Sequence, residues 1–244
     1  MRNPGARPVR AGAILVAAGR GERMGLGEGR PKALVDLCAR PLAAYSLSVL
    51  EQDSSIEAVV LVAPPGSSAR FRSELVERWG FRKVAAVVEG GRTRQESVRL
   101  GLEALNDELD PVVIHDAARP LVRPELVAAC ISKASVVGAC VPGLSPAATV
   151  KAVTSGGFVE RTLDRTLLRE VQTPQAFKAS LIREAHRLAR LNRTEATDDS
   201  TLVENMGAPV ALIEGDPENI KITRPIDMEV AAAVMSRRAG GGRG

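Results

Sequence analysis

The chain has 244 residues, 45% of them apolar and 25% charged, the balance of a folded globular protein. The formal charge of +4 is misleading, because Arg2, Arg7, Arg10, Arg237, Arg238 and Arg243 lie in terminal stretches without an acid; setting those six of 33 basic residues aside leaves 27 against 29 acids. That balance, with only six aromatic residues, argues against a nucleic-acid partner; no apolar run reaches the roughly 18 residues that span a bilayer, and two histidines with three widely spaced cysteines argue against a zinc site.

The arginines before Ala11 are not followed by an apolar segment of the secretory kind, so a cytosolic protein is expected. Ala13–Ala17 then reads as a buried strand, and Pro41 opens a helix over Leu42–Gln52. Val59–Val62 is a second strand, Ser68–Trp79 a helix and Val84–Val88 a third strand. Thr93–Leu105 is helical, with Val98, Leu102 and Leu105 on one face. Val112–Ile114 is a fourth strand, Pro124–Ser135 a helix and Val136–Val141 a fifth strand. Continuous apolar strands alternating with helices predict a mostly parallel sheet covered on both faces, a three-layer Rossmann-like α/β fold.

The alternation breaks between Pro142 and Thr166, where two strand-like pieces, Ala148–Thr154 and Phe158–Leu163, flank Gly156-Gly157. The glycine pair suits a hairpin turn. Two strands bury little by themselves, so an inserted β-hairpin arm at about 143–166, packing on another subunit, is expected. Helical pattern returns over Ala179–Leu191 and Ser200–Asn205; Val210–Ile213 and Ile220–Ile222 read as short strands, and Pro225 opens a last helix to about Met235. Residues 1–11 read as an N-terminal tail, 12–237 as one domain, and the glycine-rich 238–244 as disordered.

Three loops after strands carry the polar residues. The first, Ala17-Ala18-Gly19-Arg20-Gly21-Glu22-Arg23-Met24, runs on to Pro31-Lys32. Ligands of open α/β sheets sit beyond the carboxyl ends of the strands, and glycines let backbone N–H groups reach phosphate oxygens, so this loop suits a phosphate, with Arg23 and Lys32 as counter-charges. GxGxxG fails because Met24 stands at its third glycine, and the Gly-Lys-Ser/Thr of a P-loop is absent. By spacing alone, a Gly-rich turn with solvated cations fits as well. Glu89-Gly90-Gly91-Arg92, with Ser97 one turn into the next helix, would let a flat base lie on backbone, or is simply a turn and a helix start. His115-Asp116-Ala117-Ala118-Arg119-Pro120 ends the fourth strand with an acid and an arginine placed for a ligand or metal, or for a salt-bridged loop.

In order along the chain, these pieces resemble the nucleotidyltransferases of sugar and polyol phosphates. His115–Pro120, Gln172-Thr173-Pro174-Gln175-x-Phe177, Thr197-Asp198-Asp199 and Asn219–Pro225 narrow the resemblance to the cytidylyltransferases of 2-C-methyl-D-erythritol 4-phosphate, from about Ala13 to Met235. The resemblance implies transfer of CMP from CTP to that polyol phosphate, with release of pyrophosphate, in non-mevalonate isoprenoid precursor synthesis. It assigns Arg23 and Lys32 to the charge building on the α- and β-phosphates. Arg165 and Lys221 would grip and aim the acceptor phosphate. Ala17, Ala18, Gly19, Gly21, Gly91, Ser97 and Asp116 fall at nucleotide-binding positions; Asp116, Arg119 and Thr149 fall near the acceptor. Mg²⁺ or another divalent cation would ride mainly on the CTP phosphates, with no protein metal ligands certain. The arm would reach into a neighbour's site, making a homodimer. Ala148, where an Asp is common, Arg92, where an acid is common, Ala33-Leu34 after Lys32, and a longer 23–32 loop depart from the pattern.

Three rival readings make different demands on the sequence. A ribitol-5-phosphate cytidylyltransferase would share the CTP half, but Thr162-Leu163-Asp164-Arg165 looks more like the methylerythritol enzymes. A Rossmann NAD(P) reductase predicts an acid ending the second strand, where Ala63-Pro64 stand. A non-catalytic nucleotide-binding protein of the same fold would have lost Lys32 or Lys221, and both are present.

Overall fold

The computed structural model describes residues 9–19, 21, 24 and 31–240. In chain order the strands are β1 Ala11–Val16, β2 Asp36–Leu37, β3 Arg40–Pro41, β4 Ile56–Ala63, β5 Val84–Glu89, β6 Val112–Asp116, β7 Ala139–Leu144, β8 Lys151–Val153, β9 Val159–Thr162, β10 Glu170–Val171, β11 Gln175–Phe177 and β12 Ala211–Glu214. The helices are α1 Leu42–Gln52, α2 Ser68–Phe71, α3 Arg94–Ala104, α4 Pro124–Val137, α5 Ala179–Asn192, α6 Asp199–Glu204 and α7 Pro225–Gly240.

The main sheet runs β10-β7-β11-β6-β1-β4-β5, with β12 also paired to β7. The β6-β1-β4-β5 half is parallel; β11 runs antiparallel between β6 and β7. Alternate residues of β1 serve opposite faces. Ala13 and Leu15 join Ala43, Leu47 and Leu50 of α1 and Val127, Cys130 and Ile131 of α4, while Ile14 joins Val98 and Leu102 of α3 and Ile182 and Ala185 of α5. This is the three-layer arrangement expected. Gly101 lets α3 lie flat on the sheet, since a Cβ there would stand 2.7 Å from Ile14 Cγ2.

Several local expectations needed correction. Val136 and Val137, read as the start of a strand, form the last turn of α4, where Val136 is exposed. Gly138 at φ +97° stops the helix, and the strand follows it. Ile220–Ile222 forms no strand: the segment crosses the mouth of the sheet, tied by the Ile222 N–H to Ala118 O at 2.8 Å. Between Ser68 and Trp79 the helix widens to a π-turn over Arg72–Glu77. The last helix continues past Met235 to Gly240, so Arg238 is not in a loose tail; its guanidinium donates to Leu121 O and Glu218. At the other end Arg10 already belongs to the body, bridging to Asp110 and pairing with Glu57.

The inserted segment forms a separate two-stranded antiparallel sheet of β8 and β9, turning through Gly157 at φ +81°. Its apolar side chains Val153, Phe158 and Val159, and Leu167 beyond it, face outward. Among the described residues no helix is long and apolar enough to cross a membrane.

Candidate functional site

The carboxyl ends of β1, β4, β5 and β6 open into one cavity of about 860 Å³. The chain leaves β1 toward β4 on one side and returns to β6 on the other, the switch point at which open α/β sheets bind ligands. Ala17, Ala18, Gly19 and Gly21 line the floor; Gly90–Arg94 and Ser97 form one wall, Asp116–Ala118 another, and Lys32, Lys221 and Thr223 close the remaining side. Arg23 lies outside the described residues.

The Gly90-Gly91 wall is set by local contacts. Thr93 caps α3 by accepting the Glu96 N–H at 3.1 Å, and the Glu96 carboxylate accepts the Arg92 N–H at 2.8 Å, close to a capping box. Ser97, buried one turn on, donates its hydroxyl to Thr93 O and accepts the Gly91 N–H. Gly90 donates to Ala63 O at 2.7 Å and lies so close to the first loop that a Cβ would meet Ala18 Cβ at 2.5 Å and Ser97 Oγ at 2.8 Å. The result is a flat strip of backbone facing the Ala17-Ala18 loop, a shape that accepts a planar ring.

The charged wall centres on Asp116. Its Oδ1 accepts Arg94 Nε at 3.0 Å and its Oδ2 accepts Lys221 Nζ at 2.6 Å. Burial alone would raise this carboxyl, but the two cations outweigh it and hold it well below the usual range. Arg94 also donates Nη1 to the fully buried Asp199 at 2.7 Å, so that two carboxylates overcome burial and keep the guanidinium charged. Sequence reasoning passed over Arg94; its one signal was its place in the first turn of the helix that follows the glycine pair. Thr93, Ala117 and Thr223, to which the sequence assigned no individual role, also line the cavity, as does Gly90 of the expected base strip.

Lys32 sits on a 3₁₀ turn, Lys32–Leu34, after Pro31, and its ammonium donates to Ile222 O. The first loop and the Lys221 segment therefore meet across the cavity, joining residues 190 positions apart. Asp227 fixes that segment from α7 by accepting Thr223 N, Thr223 Oγ1 and Arg224 N. Arg119, expected beside the acceptor, does not line the cavity; it is partly buried and donates to Asn219 O at 2.6 Å, bracing the same segment from behind. Thr149 and Arg165 are exposed at the arm and do not line the cavity of this chain either; Arg165 donates to Ala147 O.

His115 points into the protein, with Nδ1 3.0 Å from Thr173 Oγ1 and Nε2 3.2 Å from Arg119 O. A carbonyl only accepts, so the proton is on Nε2, and Nδ1 accepts the Thr173 hydroxyl. Thr173 Oγ1 in turn accepts the Asp116 N–H. Burial lowers the imidazole to about 4 and keeps it neutral. The described lining holds no histidine or cysteine, and so no conventional nucleophile–base pair.

Among the described residues no group of three or more His, Cys, Asp or Glu is placed to hold a metal ion. Asp116, the carboxylate at the cavity's charged wall, has each oxygen engaged by a cation. The donors among the described residues do not fit a resident metal site.

The family model of IspD, 2-C-methyl-D-erythritol 4-phosphate cytidylyltransferase, matches residues 11–237. The chain is 46% identical over 93% of its length to the enzyme of that name from Pelotomaculum thermopropionicum, covering 95% of the relative. It is 44% identical to the one from Geobacillus kaustophilus, over 93% and 97% of the two chains. Among solved structures, that of the Thermus thermophilus 2-C-methyl-D-erythritol 4-phosphate cytidylyltransferase is similar with a TM-score of 0.75 and 36% identity, over 91% of this chain and 98% of the other. The Anaerococcus prevotii 4-diphosphocytidyl-2C-methyl-D-erythritol synthase gives 0.81 and 27%, over 94% and 97%. With the parallel half-sheet, the two-cation Asp116 and the backbone strip already in place, these likenesses decide the assignment: the chain belongs to the 2-C-methyl-D-erythritol 4-phosphate cytidylyltransferase family.

Proposed function

We propose that this cavity moves CMP from CTP to 2-C-methyl-D-erythritol 4-phosphate, releasing pyrophosphate. The observation that carries the reading is the meeting of Lys32 with the Lys221 segment over the cavity, which sets a cation from each of two distant loops beside the same space. Two polyanions must approach each other here, so neutralisation and in-line placement are the main tasks.

Cytosine would lie on the Gly90-Gly91 strip near Ser97, with the triphosphate along Ala17–Gly21 between Arg23 and Lys32. An oxygen of the acceptor phosphate forms the new bond to the α-phosphorus while the bond to the β-phosphate oxygen breaks, and the electron pair leaves with pyrophosphate. The attacking oxygen is already ionised at neutral pH, so no general base is needed. Lys32 and Arg23 would balance charge on the α- and β-phosphates. Lys221, steadied by Asp116, would hold the acceptor phosphate.

A divalent cation, Mg²⁺ in our reading, would ride on the phosphates and reduce their repulsion. Arg165, Thr149 and Arg119 would complete the acceptor side. For Arg165 and Thr149 this requires a homodimer in which the 143–166 arm crosses to the neighbour, a reading supported by the outward-facing Val153, Phe158 and Val159. The lack of a membrane-crossing helix among the described residues is compatible with cytoplasmic work.

A pyrophosphate-release assay tests the reading by crossing CTP, ATP, GTP and UTP with methylerythritol phosphate and ribitol phosphate. Turnover is expected only with CTP, and at least tenfold faster with the first acceptor. Equal or greater turnover with ribitol phosphate would overturn the acceptor, and CTP binding without pyrophosphate release would overturn the catalysis.

A further inference from the structure

A line of charged groups runs from behind the cavity into it, and no step of the reaction yet uses its inner half. His186 of α5 meets Asp199 at 3.2 Å; Asp199 accepts Arg94 Nη1 at 2.7 Å; Arg94 Nε reaches Asp116 at 3.0 Å; Asp116 holds Lys221 at 2.6 Å. Asp199, His186 and Asp116 are all buried. Asp199 and Asp116 come from elements 83 residues apart, and the guanidinium joins them. The third guanidinium nitrogen, Arg94 Nη2, is buried and makes no hydrogen bond to the described residues. Arg94 also lines the cavity, so the guanidinium that joins the two carboxylates borders the substrate space.

The Asp199 end is fixed independently. Asp198 caps α6 by accepting Thr201 N at 3.0 Å and also accepts Gln175 Nε2 from β11 at 2.8 Å. Gln175 Oε1 accepts the Ser200 N–H. The Thr197-Asp198-Asp199 and Gln172–Gln175 motifs therefore interlock behind the cavity and hold the Asp199 carboxylate in place. From that fixed point a planar, forked cation can aim a second carboxylate, which one ammonium cannot do.

We infer that Arg94 is a positioning residue for the acceptor end: anchored by Asp199, it fixes Asp116 and through it the Lys221 ammonium that meets the acceptor phosphate. The inference rests on the proposed role of Asp116 and Lys221. Asp199 then matters to catalysis although it touches neither substrate.

The test measures steady-state kinetics with each substrate varied, together with CTP affinity and the far-UV circular dichroism of each variant. For Asp199→Asn the acceptor KM is expected to rise three- to tenfold, with CTP affinity within twofold and the spectrum unchanged. For Arg94→Gln the acceptor kcat/KM should fall at least tenfold, and Arg94→Lys should recover only part of it. In the Arg94→Gln background, adding Asp199→Asn should have no further effect, because its route to the cavity is gone. Should Arg94→Gln fail to fold, Asp199→Asn decides alone. Asp199→Asn with wild-type acceptor kinetics, or a loss shared equally between CTP and acceptor, would overturn the inference. Lys221→Ala is assayed in parallel: if it spares acceptor kinetics, the underlying site reading fails instead.

Discussion

Lys221 Nζ and Asp116 Oδ2 meet at 2.6 Å across 105 residues of sequence. The pair closes one side of the cavity and does two things at once. It keeps Asp116 ionised in a buried position, and it holds a partly exposed ammonium where a phosphate can reach it. Coulomb attraction between a lysine and an incoming phosphate grows as water is excluded, so the cavity that desolvates the substrates also strengthens the contact.

Lys32 opposes that pair from the first loop. Replacing Lys32 by Ala is expected to lower kcat on the order of a hundredfold or more, as removal of one transition-state donor does. The ammonium donates to the Ile222 carbonyl at the cavity, and far-UV circular dichroism of the variant is expected to match wild type. Turnover within threefold of wild type in single-turnover quench experiments would remove Lys32 from the charge-handling set.

Arg165 tests the arm. Arg165→Ala should raise the acceptor KM or lower kcat by tenfold or more while CTP affinity stays within twofold. Light scattering at working concentration should give a dimer for wild type and variant alike, since the apolar arm residues are untouched. An active monomer would end the shared-site reading.

His115 gives a pH signature. Its folded value of about 4 lies below the unfolded 6.5, so the unfolded chain binds the extra proton between those limits. Stability is therefore full above pH 6.5 and falls as the pH drops toward 4, by as much as about 3 kcal/mol. Urea denaturation at pH 7 and pH 4.5 should show this for the wild type and a shallower fall for His115→Asn. Identical profiles for the two proteins would place the titration elsewhere.

Gly90 tests the backbone strip. Gly90→Ala puts a methyl group 2.5 Å from Ala18 Cβ and 3.3 Å from Ala63 O, so the first loop or the glycine strip must move. The expected cost is about 1–3 kcal/mol of stability. CTP affinity should fall at least tenfold, read by calorimetry. Unchanged CTP affinity would mean that the base does not lie on this strip.

Much of the fold was legible because its strands are unbroken apolar runs. Ala13–Ala17, Val59–Val62, Val84–Val88 and Val112–Ile114 each became a strand of the parallel half-sheet, and Leu42–Gln52 became a helix with the same bounds. The errors fall where local preference loses to context. Val136 and Val137 favour strands but finish a helix that Gly138 ends. Gln175–Phe177 carries no strand signal longer than three residues, yet it completes the sheet because β6 and β7 leave a gap of one strand between them. Ile220–Ile222 looks like a strand but is held by contacts with the Ala118 and Lys32 segments.

By itself, then, the sequence determined the alternation of apolar strands and helices, the glycine-rich first loop and the motif order that marks the family. Periodicity and short motifs are local properties, carried by neighbours along the chain. Only the tertiary structure decided that Lys221 and Arg94 share Asp116, that Lys32 reaches the Lys221 segment, and that His115 turns inward as a neutral core group. Apart from the local contact of His115 with Arg119, those relationships join residues 22 to 190 positions apart, and their electrostatics depend on a burial that exists only once the layers have packed.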